Sequence, residues 1–417
     1  MQDLSLREVN DWVTQAGLNG TSEPELLAGF CQRLGAAGVP VARANVAMET
    51  LHPVHEGRLF FWDPEAPAGG EGIEVSHVED RGALHGQWLR SPFHHLHVSG
   101  ERMLRRRLSP AGPEDFDVLA DLRGEGYTDY LVQLQRFAPA GAIGEMDCVN
   151  ASWATRSPTG FSDRDIEALT ALFPGFALAL KSVSLQRIAA TLLETYLGRD
   201  AGRRVLQGRI ERGETEHVRA VIWFSDLRSF TRLTDTAPPD HIIPFLNGYA
   251  EAVISSIHEA GGDVLKLIGD GTLAIFDARD EAAACRRALD AVSRARRRVA
   301  ELNRTRRSDG LFATEAYVGL HLGEVFYGNI GSTDRLDFTV IGPAVNMASR
   351  ISAMCRSAER DVLISADFVR HLADLPPEVV SVGRYALRGF DRPQELFTIV
   401  PEEPIESNSS LPSALPA

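Results

Sequence analysis

Cysteine is scarce. The four residues, Cys31, Cys148, Cys285 and Cys355, stand far apart and form no CxxC pair, which excludes a zinc knot or a disulfide framework as the organising principle. No run of about eighteen apolar residues occurs, and the opening MQDLSLREVNDWV has neither a basic stretch nor an apolar core for export. The expectation is therefore a cytoplasmic chain with no membrane partner. An excess of positive charge is also missing: the formal charge is −14. That argues against a nucleic-acid binder, because neutralising a phosphate backbone needs a net basic surface. A small anionic substrate is still compatible, since it needs only local cations. Apolar residues make up 44% and charged residues 24% of 417, a globular composition long enough for two domains.

The chain changes character along its length. Up to about residue 160, β-like runs such as RLFFW, YLVQLQRF and CVNASWATR alternate with DPEAPAGGEG and SPAGPED, the pattern of a mixed α/β module. From Phe161 a helical stripe takes over. Ser162 with Asp165 reads as a cap, and Ile166, Leu169, Phe173, Phe176, Leu180 and Val183 follow at heptad-like spacing, interrupted by Pro174. Such a stripe either closes the module against its own sheet or also pairs with a second chain. Helix-compatible sequence continues to Gly198, and a polar, Gly-punctuated connector follows to about His217. The expected organisation is a regulatory domain over 1–185, a helical linker over 186–217, a second domain over 218–400 and a disordered Pro/Ser-rich tail over 401–417.

The second domain alternates clearly. VRAVIWFSD reads as a strand, PPDHIIPFLNGYAEAVISSIHEAGG as a helix stopped by glycines, and DVLKLIGDGTLAIFD as two strands around a Gly-Asp-Gly turn. A long Ala/Arg-rich helix and the strand ATEAYVGLHLG complete a β-α-β-β-α-β order. The fold class is thus α+β with a ferredoxin-like sheet, which sets the first strand beside the hairpin. Asp226 ends that strand and Asp270 sits in the hairpin turn, so both carboxylates are expected at one end of the sheet. Either aspartate alone reads as an ordinary turn residue. A pair on rigid elements is a different matter, because magnesium binds one or two protein oxygens and completes its shell with phosphate and water.

With FSDLRSFT, KLIGD and TVIGPAVNMASR in this order, the segment 218–400 resembles the catalytic domain of the class III adenylate and guanylate cyclases. The resemblance implies formation of cyclic AMP from ATP by two-metal catalysis with Mg²⁺ or Mn²⁺ at a homodimer interface. It makes Asp226 and Asp270 metal ligands, helped by the carbonyl of Leu227. It makes Lys266 the reader of the purine, a lysine donor matching the adenine N1 acceptor, where guanylate cyclases usually carry glutamate. Thr339 occupies a second base-reading position where many members have aspartate. Asn346 and Arg350, one turn apart, would orient the ribose and stabilise the transition state. Arg388, in ALRGFDRP, would bind polyphosphate where lysine is commoner. Guanylate cyclase is the nearest alternative, and a non-catalytic nucleotide-sensing homologue another. A diguanylate cyclase is disfavoured because GGDVL lacks the following Glu-Phe.

The stretch WATRSPTGFSDRDIEALTALFPGFALAL resembles, in pattern, the closing strand and helix of GAF-type sensory domains, which implies an unknown small-molecule or protein stimulus at the first domain. Seven of the twelve histidines, His52, His55, His77, His85, His94, His95 and His97, precede residue 100. Without carboxylate or cysteine partners at ligand spacing they read as surface and loop residues.

Overall fold

The computed structural model describes residues 2–65, 72–76, 83–109, 112–138, 143–144 and 146–400. The tail expected from residue 401, and His77, lie outside the described residues. The chain divides into two compact units, Met1–Leu192 and Leu193–Ala417.

The first unit opens with two helices, α1 (Gln2–Leu18) and α2 (Glu23–Ala36), followed by strands β1 (Arg43–Glu49), β2 (His55–Trp62) and β3 (Ile73–Ser76). Helices α3 (Ala83–Leu89) and α4 (Pro92–Ser99), strand β4 (Met103–Arg107), helix α5 (Asp117–Gly124) and strands β5 (Asp129–Arg136) and β6 (Cys148–Thr155) come next. The six strands form one sheet in the order β3-β2-β1-β6-β5-β4, with every pairing antiparallel. Its unit closes with α6 (Asp163–Leu197), which Ser162 and Asp165 cap reciprocally through their side chains and amides. Leu169, Phe173, Phe176 and Leu180 pack into the same core as Phe30 and Trp153, so the stripe is spent on the unit's own sheet. Pro174 does not interrupt the helix. Losing one backbone bond costs about 3 kcal/mol, which the neighbouring Phe173 and Phe176, both buried, offset at about 1.5–3 kcal/mol each. By length and composition α6 could cross a membrane, yet 56% of its most apolar window is buried in the protein.

The second unit begins with α7 (Arg199–Leu206), where a polar connector was expected. Ala201 is fully buried in a core cluster with Leu265 and Tyr327, and Gly198 lies so close to the Val264 carbonyl that a Cβ would meet it at 2.4 Å. The helix forms because this small-residue face can dock on a strand, a contact that local polarity does not reveal. Strand β7 (Thr215–Leu227), the short α8 (Phe230–Thr236), α9 (Pro239–Glu259), β8 (Asp263–Ile268), β9 (Gly271–Asp277), α10 (Glu281–Ser308) and β10 (Ala316–Gly331) follow. Then come β11 (Leu336–Ile341), α11 (Pro343–Ala358), β12 (Val362–Ser365), α12 (Ala366–Val369), β13 (Val379–Tyr385) and β14 (Gln394–Ile399). The order β10-β7-β9-β8 is the ferredoxin-like arrangement, extended by β12, β14 and β13, with β11 pairing β10. Val221 and Trp223 face one core, with α9 and α10; Ala220 and Ile222 face the other, with β11 and α11. A strand buried on both faces explains the unbroken apolar run VIW.

Two glycine contacts set the site. A Cβ on Gly319 of β10 would lie 2.6 Å from the Ala348 carbonyl and 2.5 Å from the Ser352 amide, so α11 rests its backbone directly on the sheet. A Cβ on Gly271 would lie 2.7 Å from the Ser225 carbonyl, so the β8–β9 turn closes tightly onto the end of β7. Gly269, at φ +63, supplies the left-handed residue of that two-residue turn. Replacing Gly271 by Ala is expected to push the turn off β7 and lower stability by about 1–3 kcal/mol, measured as the urea midpoint of the isolated protein against wild type.

Candidate active site

Strand β7 and the β8–β9 hairpin bring Asp226 and Asp270 together. The last β7–β9 pair is Ser225 with Thr272, so Asp226 stands one residue beyond it, beside the turn that carries Asp270. The Leu227 amide donates to Asp270 Oδ2 at 3.0 Å, which ties the hairpin to the strand end. Leu227 itself is buried among Leu233, Phe245 and Tyr249. Just beyond it Ser229 takes φ +60, a left-handed conformation unusual for a non-glycine residue, as the chain turns into α8.

Asp226 is half-buried, and its Oδ1 is enclosed without any hydrogen-bond partner. Burial first, and the charge of Asp270 second, push its carboxyl up from the usual 3.8 to about 6, against the pull of Arg356. Two carboxylates meeting in a desolvated corner, one with an orphaned oxygen, make a poor structural feature and a good cation seat. Among the described residues no group of three or more His, Cys, Asp or Glu could hold a metal. The donor set is therefore the two-carboxylate kind that suits Mg²⁺ or Mn²⁺ sharing its shell with phosphate and water. A cleft of about 160 Å³ opens beside it, walled by Leu246, Asn247 and Ala250 of α9.

The remaining expected residues lie elsewhere on this unit. Lys266, on β8, forms an ion pair with Asp337 on β11. Thr339, two residues further along β11, shares the outward face with Asp337, because Phe338 and Val340 point into the core. Asn346 and Arg350 are both exposed on α11, whose Ala344, Ala348, Ile351 and Cys355 face inward. Neither side chain has a hydrogen bond or ion pair with another described residue, and neither is joined to the aspartates within the chain. Arg388 is exposed in the connection between β13 and β14, beside Gly389 at φ +90, again without an ion pair among the described residues.

Sequence reasoning missed Asp337 and Arg356. Asp337 could have been found from the alternation of LDFTVI, which places it on the same strand face as Thr339. Arg356, whose charge favours the ionised forms of Asp226 and Tyr317, had no local signal, because these neighbours come from β7 and β10. In the first unit the histidines do make partners: His55 meets Glu74 at 3.0 Å, and His97 meets Asn150 at 3.2 Å and the Cys148 sulfur at 3.6 Å. All four cysteines are free and buried.

Residues 213–400 match the family model of the adenylate and guanylate cyclase catalytic domain, and this segment belongs to that family. An adenylate cyclase of Anabaena cylindrica is 36% identical over 168 residues, 39% of this chain and 33% of that protein. A terminal-differentiation-specific adenylate cyclase of Dictyostelium discoideum is 36% identical over 145 residues, 34% of this chain and 7% of that protein. The chain thus spans a third or less of the length of these two relatives. Among solved structures, the adenylyl cyclase CyaB from P. aeruginosa is 26% identical, covering 46% of this chain and 97% of that one with a TM-score of 0.42. The guanylyl cyclase Cya2 is 26% identical, covering 45% and 95%, with a TM-score of 0.40.

The raised carboxyl of Asp226 has a stability consequence. Its folded value lies above the unfolded one, so the fold prefers it protonated, and the metal-free protein loses stability as pH rises from about 4 to about 6. At pH 7.5, Asp226→Asn is expected to raise the metal-free thermal midpoint by roughly 2–4 °C, about 1 kcal/mol after allowance for solvent screening. At pH 4 the difference disappears. A calorimetric scan at both pH values checks this, and addition of Mn²⁺ is expected to raise the midpoint of the wild type but not of the variant.

Proposed function

We propose that this chain is an adenylate cyclase, converting ATP to 3′,5′-cyclic AMP and pyrophosphate at a site shared between two copies, under control of the first unit. The observation that carries the reading is the convergence of Asp226 and Asp270 at one end of the sheet, with an enclosed, partnerless oxygen on the first. Asp226 and Asp270 would hold two divalent ions, Mg²⁺ or Mn²⁺, with the Leu227 carbonyl as a further oxygen. When bound, the ions supply Lewis acidity for the ribose 3′-hydroxyl and the phosphates.

The protein's own residues position the rest. Lys266 offers an ammonium donor to adenine N1, and Thr339 offers a hydroxyl that both donates and accepts at the base edge. Lys266 is the feature that favours ATP over GTP, since its donor would face the N1–H donor of guanine. Asn346 orients the ribose, and the Arg350 guanidinium forks onto the charge that develops at the α-phosphate. Arg388 binds the polyphosphate. A cleft of about 160 Å³ is small beside the roughly 300–1,000 Å³ of ordinary ligand sites. That shortfall, and the exposure of Asn346 and Arg350 away from any partner among the described residues, favour a second copy supplying the opposite wall. The reading places the chain in the cytoplasm, treats α6 as a core helix, and assigns the first unit an unknown small-molecule or protein stimulus.

The test is cyclic nucleotide formation by the purified chain with ATP or GTP and Mg²⁺ or Mn²⁺. Asp226→Ala is expected to lower turnover at least about 100-fold, and cyclic AMP formation that survives it refutes the metal assignment. Lys266→Glu is expected to reduce kcat/KM for ATP far more than for GTP. Sharing of the site has its own signature. Equal mixing of the separately inactive Asp226→Asn and Arg350→Ala proteins is expected to restore about a quarter of wild-type activity, because half the dimers are mixed and each holds one intact site of two. Two inactive proteins that stay inactive when mixed, despite exchanging subunits, would refute it.

A further inference from the structure

A second cavity, of about 150 Å³, lies inside the first unit, between the β1–β2 connection, strands β2 and β3, and the last part of α6 within that unit. Its walls include His52, His55, Arg58, Glu74, Arg187 and Thr191. Buried charges surround it. Arg58 is 8% exposed and donates from Nη1 to Glu23 Oε1 at 2.8 Å, and Glu23 is 3% exposed. Ser184 Oγ donates to the same Glu23 oxygen at 3.2 Å, and Arg187 reaches Glu23 Oε2 at 3.8 Å. Behind the cavity, then, two guanidinium groups share one buried carboxylate, a surplus of one positive charge.

The compensating charge comes from the rim. Glu74 stands on the edge strand β3 with its side chain 43% exposed, and its two oxygens divide between two donors. Oε2 lies 3.0 Å from His55 Nε2, an ion-pair distance, while Oε1 stops 3.7 Å from Arg58 Nε, too far for a hydrogen bond. Arg58 Nε is in consequence a buried N–H with no acceptor. A carboxylate from the protein's own surface therefore spans an imidazole and a guanidinium without satisfying both. Because Glu74 is exposed and sits on an edge, it can be displaced outward at little cost, whereas Arg58 and Glu23 cannot move without stranding a buried charge.

From this geometry we infer that the cavity is a binding site for a small carboxylate ligand, which replaces the Glu74 carboxylate between His55 and Arg58 with Arg187 as its second cation. The size limits the ligand to about five water volumes, that is, a simple short-chain acid rather than a nucleotide or a sugar. Arginine suits this role because its planar fork matches a carboxylate, and the partly exposed Arg187, at 48%, leaves an entrance. Arg187, Ile188 and Thr191 form one wall on α6, and that helix continues through Leu192 to Leu197. Any regulatory consequence rests on the cyclase reading; the binding itself does not.

The experiment is isothermal titration of the full-length chain with sodium acetate, propionate and lactate at constant ionic strength, with inorganic phosphate as a separate arm. At least one carboxylate is expected to bind the wild type saturably. Glu74→Gln removes the internal competitor and is expected to tighten that binding by about fivefold or more, and Arg187→Gln to weaken it by a similar factor. Both side chains are about half exposed, and circular dichroism confirms that the variants keep the fold. A wall that is merely structural would not gain affinity on losing Glu74. The proposal is overturned if no carboxylate binds either wild type or Glu74→Gln, if Glu74→Gln binds no better than wild type, or if phosphate alone binds. Since the readout is binding, absence of cyclase activity would sink the functional proposal and leave this one standing.

Discussion

The second unit is arranged around two like charges held close together where water is thin. Coulomb repulsion and lost hydration both oppose that placement, and the upward shift of the Asp226 carboxyl expresses the cost. Several separate features enforce it: a turn closed by a left-handed Gly269, a Gly271 small enough to let the hairpin touch β7, and the Leu227 amide fixed on Asp270. The contact is held despite its cost by this many means, and the divalent ions of the proposed function would turn that repulsion into attraction.

The same sheet explains why the other candidate residues face where they do. The small-residue contact at Gly319, Ala348 and Ser352 lets α11 lie flat on β10, which turns Asn346 and Arg350 outward. On β11, strict alternation sends Phe338 and Val340 inward and leaves Asp337 and Thr339 on the outer face with Lys266 paired across to Asp337. Core packing thus fixes two groups of polar residues on rigid elements, apart from the aspartates. Under the proposed function, a second copy would bring such groups to the aspartates.

The first unit uses charge differently. Glu23, Arg58 and Asp129 are buried with partners, pairs that are costly to break although they add little net stability. Where the pairing falls short, at Arg58 Nε, the shortfall opens onto a cavity against α6. The long helix is accordingly both a core element, through Leu169, Phe173, Phe176 and Leu180, and one wall of that cavity, through Arg187 and Thr191.

The amino-acid order alone determined whatever depends on near neighbours. Glycines ended α9, Ser162 with Asp165 began α6, the Gly-Asp-Gly turn announced the hairpin, and FSDLRSFT, KLIGD and TVIGPAVNMASR carried the family. Even the meeting of Asp226 with Asp270 followed once the β-α-β-β-α-β order was read, because that topology leaves the first strand next to the hairpin. Tertiary structure alone decided the rest. The segment after Gly198 looked like a polar connector and is a helix, since its small face finds a strand 60-odd residues on, a contact no local pattern encodes. Pro174 looked like an interruption and is not one, because buried aromatic neighbours outweigh a lost backbone bond. Asp337 opposite Lys266, Arg356 near Asp226, and Glu74 between His55 and Arg58 all join residues from different elements, and their electrostatics exist only where folding has removed the water between them.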